Sequence, residues 1–207
     1  MLVVCKKGAV MDQFIVDRDA FMALVRKWHA VHERPDQVQH CENVAKLLDQ
    51  ALNLEPSAIA ARRNMILAAL GHDLYEDSRI PQAEILKFGK EVDQLIRALT
   101  EEVDGVGPYV ERVASGPEEA RLIKLCDGAD NYGGLVQKNL VQTNPSKWVR
   151  VVRRHMEPMF SRLDAIPFQK YRRAGAWLSN VVAEKRERFW TVIEEMLGKL
   201  ERNGNKP

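Results

Sequence analysis

Leu70-Gly71-His72-Asp73-Leu74-Tyr75-Glu76-Asp77 is the stretch around which the rest of the chain can be read. It sets four potential ligands or proton carriers, His72, Asp73, Glu76 and Asp77, within six positions. On a continuous helix His72 and Glu76 would share a face, and so would Asp73 and Asp77. The run Ile66-Leu67-Ala68-Ala69-Leu70 precedes it and Ser78-Arg79-Ile80-Pro81 follows. The reactive groups are therefore expected at the end of an apolar helix, where it leaves a core. Burying several charges calls for a counter-ion. A divalent cation meets that need, so the remaining ligands are sought elsewhere in the chain.

Upstream, Pro35 suits the first turn of a helix whose apolar face is Val38, Cys41, Val44, Ala45, Leu48 and Leu52, with His40 beside that face. Downstream, Ser115-Gly116-Pro117 starts a helix with Glu118 and Glu119 in its first turn. Within that apolar helix lies Asp127, with Asn131 one turn further on. His40, His72, Asp73 and Asp127 make a set of two imidazoles and two carboxylates. Such a set suits manganese, iron or zinc better than calcium. A metal at this position lowers the pKa of water and polarises a phosphoryl group. Glu76 and Asp77 would serve as general base and acid, or as acceptors that orient the water. Asn131 would hold substrate or water. The competing reading, solvated helix ends, fits a lone His-Asp pair. It fits less well the longer His-Asp-x-x-Glu-Asp string with helical partners on both sides. His29, His32 and His155 read as core or surface residues.

The flanking chain is helical in pattern. Phe21, Leu24, Val25, Trp28 and Val31 mark one helix, and Ile59, Ala60, Met65, Ile66, Ala69 and Leu70 mark another. Val92, Leu95, Ile96 and Leu99 mark a third, and Thr100 to Pro108 reads as a loop. Asn144-Pro145 caps a helix bearing Trp148, Val149, Val152, Met156 and Phe160. A last long segment from Pro167 carries Trp177, Val181, Val182, Phe189, Trp190, Ile193 and Leu197, with Gly175 as a break or bend. Leu2-Val3-Val4 and Phe14-Ile15-Val16 are β-prone, so 1–16 is expected as a small hairpin or extended arm. A single all-α domain is expected over 17–200, with a polar tail over 201–207.

The 207 residues carry a formal net charge of +2, which disfavours bulk nucleic-acid binding. Any anion would be gripped by a local basic patch. Arg150, Arg153 and Arg154 form one, read either as a phosphate grip or as a solvated face. No uncharged apolar run approaches membrane-spanning length. Lys6, Lys7, Asp12 and Asp17 interrupt any signal-like N-terminus. Three cysteines without CxxC spacing, Cys5, Cys41 and Cys126, point to buried thiols in a reducing cytoplasm.

His40, then His72-Asp73, then Asp127 follows the order of the HD-domain metal-dependent phosphohydrolases. Within them, His72-Asp73-Leu74-Tyr75-Glu76-Asp77 resembles the His-Asp-x-x-Glu-Asp motif of the (p)ppGpp hydrolases, the hydrolase half of RelA/SpoT-type proteins. Phe88-Gly89-Lys90-Glu91-Val92 and Leu99-Thr100 are similar to further segments of that family. So is Leu122-Ile123-Lys124-Leu125-Cys126-Asp127-Gly128-Ala129-Asp130-Asn131. The resemblance covers about His29 to Leu135. It implies an HD-domain helical bundle, a Mn²⁺ ion, and hydrolysis of ppGpp or pppGpp to GDP or GTP plus pyrophosphate. Carried over, the metal ligands are His40, His72, Asp73 and Asp127, and the water-activating pair is Glu76 and Asp77. Lys124, Asn131, Arg34, Arg150 and Arg154 are the candidate substrate contacts. The chain departs from the family pattern before and after His40, at Gly128, where the family has a basic residue, and at Asp130. These departures touch guanine recognition and leave the metal chemistry in place. The alternatives are an HD-type phosphatase on a nucleoside monophosphate or the 2′-phosphate of NADPH, and a non-catalytic nucleotide-binding protein. The expected partner is a small nucleotide, with a homo-oligomer left open.

Overall fold

A computed structural model describes residues 4–31, 35–101 and 105–204, and every regular element among them is helical. The chain divides into two compact units, Met1–Thr100 and Glu101–Pro207. The all-α expectation holds in both.

The first unit begins with α1 (Val4–Val31) and α2 (Pro35–Leu52). A 3₁₀ turn (Pro56–Ala58) leads into α3 (Ile59–Leu70). Three shorter helices follow: α4 (Leu74–Ser78), α5 (Gln82–Leu86) and α6 (Lys90–Leu99). The hairpin or arm expected over 1–16 is not found: the chain is helical from Val4 onward, and residues 1–3 lie outside the described residues. The physical reason is length and continuity. Two three-residue β-prone runs have no sheet to join, whereas extending an existing helix costs little once it is nucleated. The anchor for α1 is its C-terminal half, where Phe21 and Val25 are completely buried.

The core of this unit is a layer in which Val44, Leu48 and Leu52 of α2 meet Met65, Leu67 and Leu70 of α3, all essentially without solvent exposure. Ile59, expected to face inward, is exposed, because the helix proper starts only there and its first turn looks outward. Arg63 ties α3 to α1 and to the turn before α6. Its Nε donates to Asp17 Oδ2 at 2.7 Å and its Nη1 to the Phe88 carbonyl at 3.0 Å. Gly71 ends α3, and a Cβ there would lie 2.8 Å from the Phe21 ring. The aromatic side chain of α1 thus packs directly on the backbone of the turn that carries His72. Phe88 meets Phe21 edge to face at 4.7 Å.

The second unit holds α7 (Val106–Ser115), α8 (Glu118–Gln137), α9 (Leu140–Thr143) and α10 (Pro145–Val151). A π-helical turn (Val152–Met156) then passes into α11 (Glu157–Asp164), and α12 (Arg172–Gly204) ends the unit. α7 starts inside the stretch expected as a loop, after Gly105 at φ 89°. The Asn144 cap is as expected, its side chain accepting from the Lys147 amide at 3.0 Å. α8 is the central helix, packed along α12. Glu118 gathers the backbone amides of Gln169, Lys170 and Tyr171 at 2.6, 3.0 and 3.1 Å, which fixes the entry to α12. Gly175 does not break α12; a Cβ there would stand 2.3 Å from the Phe168 ring, so the position is small for packing. The buried stripe of α12 is Ala174, Leu178, Val182, Phe189 and Ile193, with Tyr171 buried just before it and Leu197 exposed. Helical structure runs on to Gly204, past the expected start of the polar tail.

Candidate metal centre

The His72 string does not lie on one continuous helix. α3 stops at Leu70, Gly71 caps it, and Asp73 is the N-cap of the short α4. The face-sharing expected from helical spacing is replaced by a turn, which sets His72 and Asp73 at the junction of two helices. The α-type link between Asp73 and Asp77 survives in the backbone, the Asp77 amide donating to the Asp73 carbonyl at 2.9 Å.

His40 projects from α2 toward this junction. His40 Nε2 is 3.2 Å from His72 Nε2 and 3.7 Å from Asp73 Oδ2. His72 Nε2 is 3.2 Å from Asp73 Oδ1. One ligand atom from each residue lies within 4.8 Å of the others. His72 is 3% exposed and the other two are partly covered, so the group opens to solvent on the His40 and Asp73 side.

The tautomer of His72 follows from its neighbour. Nδ1 is 2.9 Å from the Ala69 carbonyl, which can only accept, so Nδ1 carries the hydrogen. Nε2 then presents a lone pair toward His40. A histidine that donates its other nitrogen to a carbonyl is the usual arrangement of a metal ligand, because it fixes ring and tautomer. Asp73 is oriented in the same way by the amide of Gln37, which donates to Oδ2. Gln37 stands one turn before His40 on α2, and the sequence reading missed it. Its only sequence signal is a polar residue at i−3 from a candidate ligand. Two imidazole nitrogens and a carboxylate, with His72 and Asp73 held by outer hydrogen bonds, fit a divalent transition metal.

The remaining expected residues are distributed as follows. Glu76 is exposed on α4 and Asp77 is half-buried. Asp127 lies in α8 of the second unit, 4% exposed, between two side chains of its own helix. Lys124 Nζ donates to its Oδ2 at 2.7 Å, and Asn131 Nδ2 to its Oδ1 at 2.6 Å. Two of the five residues expected as substrate contacts, Lys124 and Asn131, therefore both hold Asp127. Burial works against the charge of Lys124, but the Asp127 carboxylate outweighs it and holds the ammonium well above its usual pKa. Burial, with Asp127 next to it, pushes the Cys126 thiol up, and both Cys41 and Cys126 are buried. Gly128 has a close neighbour: a Cβ there would fall 1.8 Å from Phe160 Cζ, so the α11 ring occupies the space a side chain would need. Arg150 and Arg154 are exposed on α10 and the π-helical turn, and Arg34 lies outside the described residues.

No helix among the described residues is long and apolar enough to cross a membrane. No protein-family model matches the chain, and no curated protein does. Among solved structures, the chain is similar to one described as a metazoan ortholog of SpoT that hydrolyses ppGpp and plays a role in starvation responses. The TM-score is 0.57 at 22% identity, over 81% of this chain and 94% of that one. That likeness is one of fold: this chain shares the all-α helical architecture of that protein.

Proposed function

We propose that this protein is a divalent-metal-dependent nucleotide phosphohydrolase, acting on ppGpp and pppGpp as a 3′-pyrophosphohydrolase in the cytoplasm. The observation that carries the reading is the convergence of His40 Nε2, His72 Nε2 and Asp73, with the outer partners of His72 and Asp73 already in place. His40, His72 and Asp73 would hold the ion, for which Mn²⁺ is the proposed species. Asp127 is the fourth proposed ligand, on the strength of its helix motif and its burial. The chemistry supplied by such an ion is Lewis acidity toward a phosphoryl oxygen and toward water.

The chain's own groups carry the remaining work. The Ala69 carbonyl keeps the Nδ1 hydrogen of His72 in place, so Nε2 stays a ligand. Gln37 keeps Asp73 from rotating. Glu76 or Asp77 takes the proton from the attacking water. Water then bonds to the phosphorus next to the ribose 3′ oxygen, and the P–O3′ bond breaks. The 3′ oxygen receives a proton, and pyrophosphate leaves. Lys124 and Asn131 act by orienting Asp127.

A second reading is favoured by Gly128. The Phe160 ring fills that space, so no basic residue is available there for a guanosine nucleotide. A related phosphatase on NADPH or a nucleoside monophosphate would not need it. Product identity separates the two. The purified protein, loaded with Mn²⁺, is incubated with ppGpp, NADPH and common mononucleotides. Pyrophosphate from ppGpp supports the first reading, and orthophosphate from the others supports the second. Glu76→Ala should keep its metal content and lose turnover. Absence of either product from every substrate would overturn both readings.

A further inference from the structure

α4 is only five residues long, Leu74–Ser78, yet it carries both Glu76 and Asp77. A helix that short does not hold its own orientation in water. Its N-cap, Asp73, makes no side-chain cap, and it ends at Arg79 in the left-handed region at φ 51°. Something outside the helix must therefore decide how it is rolled. Leu74 and Ser78, both buried and one turn apart on the same face, supply one fixed edge. An edge along one face leaves the helix free to roll about it.

The second fixed point is Tyr75. Its hydroxyl donates to Asp93 Oδ1, in the first turn of α6. Asp93 is 3% exposed and gathers two further donors, Gln82 Nε2 at 2.9 Å and Arg97 Nε at 3.2 Å. The Arg97 guanidinium also lies over the Tyr75 ring, 5.0 Å from its centroid. So one buried carboxylate collects α4, α5 and α6 at a single point. Successive residues of a helix are turned by about 100°. Leu74 and Tyr75 thus anchor two directions, and the directions of Glu76 and Asp77 follow.

We propose that the Tyr75–Asp93 pair is a positioning device that fixes the roll of α4 and so aims Glu76 and Asp77. The catalytic side of this rests on the phosphohydrolase reading; the mechanical side does not. Tyr75→Phe removes a single oxygen and keeps the ring beneath Arg97, so the fold has no reason to fail.

The test uses the full-length chain and two readouts. Hydrogen–deuterium exchange is measured on peptides covering α3, α4 and α6, and kcat and KM are measured with Mn²⁺ and the substrate hydrolysed by the wild type. Losing a hydrogen bond to a buried carboxylate should raise exchange in α4 about tenfold, with α3 and α6 unchanged. kcat should fall about tenfold while KM moves less than about twofold, because aim and not binding is lost. Asp93→Ala should show the same kcat loss, and the double variant should be no worse than Asp93→Ala alone. Unchanged exchange in α4 overturns the proposal. Loosened α4 with unchanged kcat overturns its catalytic side. A wild type that hydrolyses nothing defeats the phosphohydrolase reading, and the exchange result then decides the clamp by itself.

Discussion

Adding a divalent metal should raise the melting temperature of this protein, and His72→Ala should abolish the effect. Two imidazole nitrogens 3.2 Å apart, with a carboxylate 3.2 and 3.7 Å away, are already arranged around one point. Little reorganisation remains to be done on binding. A ligand held only by the native state stabilises it by about 2.7 kcal/mol at a hundredfold excess over its Kd. For a chain of 207 residues that corresponds to a rise of roughly 5–11 °C, at 2–4 °C per kcal/mol. The assay is differential scanning fluorimetry of metal-stripped protein titrated with Mn²⁺, Zn²⁺ and Fe²⁺, the last under anaerobic conditions, at constant ionic strength. The rise should shrink as pH is lowered, since protons compete for the same imidazole nitrogens. Gln37→Ala should weaken binding and keep it, because Gln37 orients Asp73 without being a ligand. A wild type unmoved by all three metals, or a His72→Ala variant that responds as wild type does, would refute the centre.

Gly128→Ala should destabilise the second unit by about 1–3 kcal/mol in urea unfolding, since the new methyl meets the Phe160 ring. The loss should be smaller in combination with Phe160→Leu than the two single losses added together. Glu157→Ala should cost about 3 kcal/mol, because its carboxylate accepts from Tyr132 at 3.1 Å, Trp190 at 3.0 Å and Arg186 at 3.0 Å, and all three lose that acceptor. A loss under about 0.5 kcal/mol would mean that water replaces the carboxylate there. For Asp93, burial raises the carboxyl pKa, but the hydrogen bonds from Tyr75 and Gln82 and the charge of Arg97 outweigh it, so the folded value lies below the ordinary one. Its stabilisation is therefore present above about pH 4 and lost as pH falls further. Unfolding free energies measured across pH 3–7 should fall less steeply at the acid end in Asp93→Asn; parallel curves would remove Asp93 from acid unfolding.

The sequence by itself determined the helices and the candidate ligands. Apolar residues at helical spacing place Val44, Leu48, Met65 and Leu70 in a core, and caps such as Pro35 and Asn144 mark where helices begin. Periodicity and capping are local, so they are legible in one dimension. Where local preference met a tertiary demand, the tertiary demand won: Val4 to Val16 is helix because α1 is anchored by Phe21 and Val25 further on. The string from His72 to Asp77 stands out in the sequence, but its geometry is a turn between two helices where helical spacing suggests one. The break at Gly71 arises where the Phe21 ring of another helix rests on the backbone, and no spacing rule carries that information. Gln37 against Asp73, the Ala69 carbonyl against His72, and Tyr75 against Asp93 were likewise decided only in three dimensions. Each is a contact between groups whose types are ordinary and whose meaning comes from what folding brings beside them.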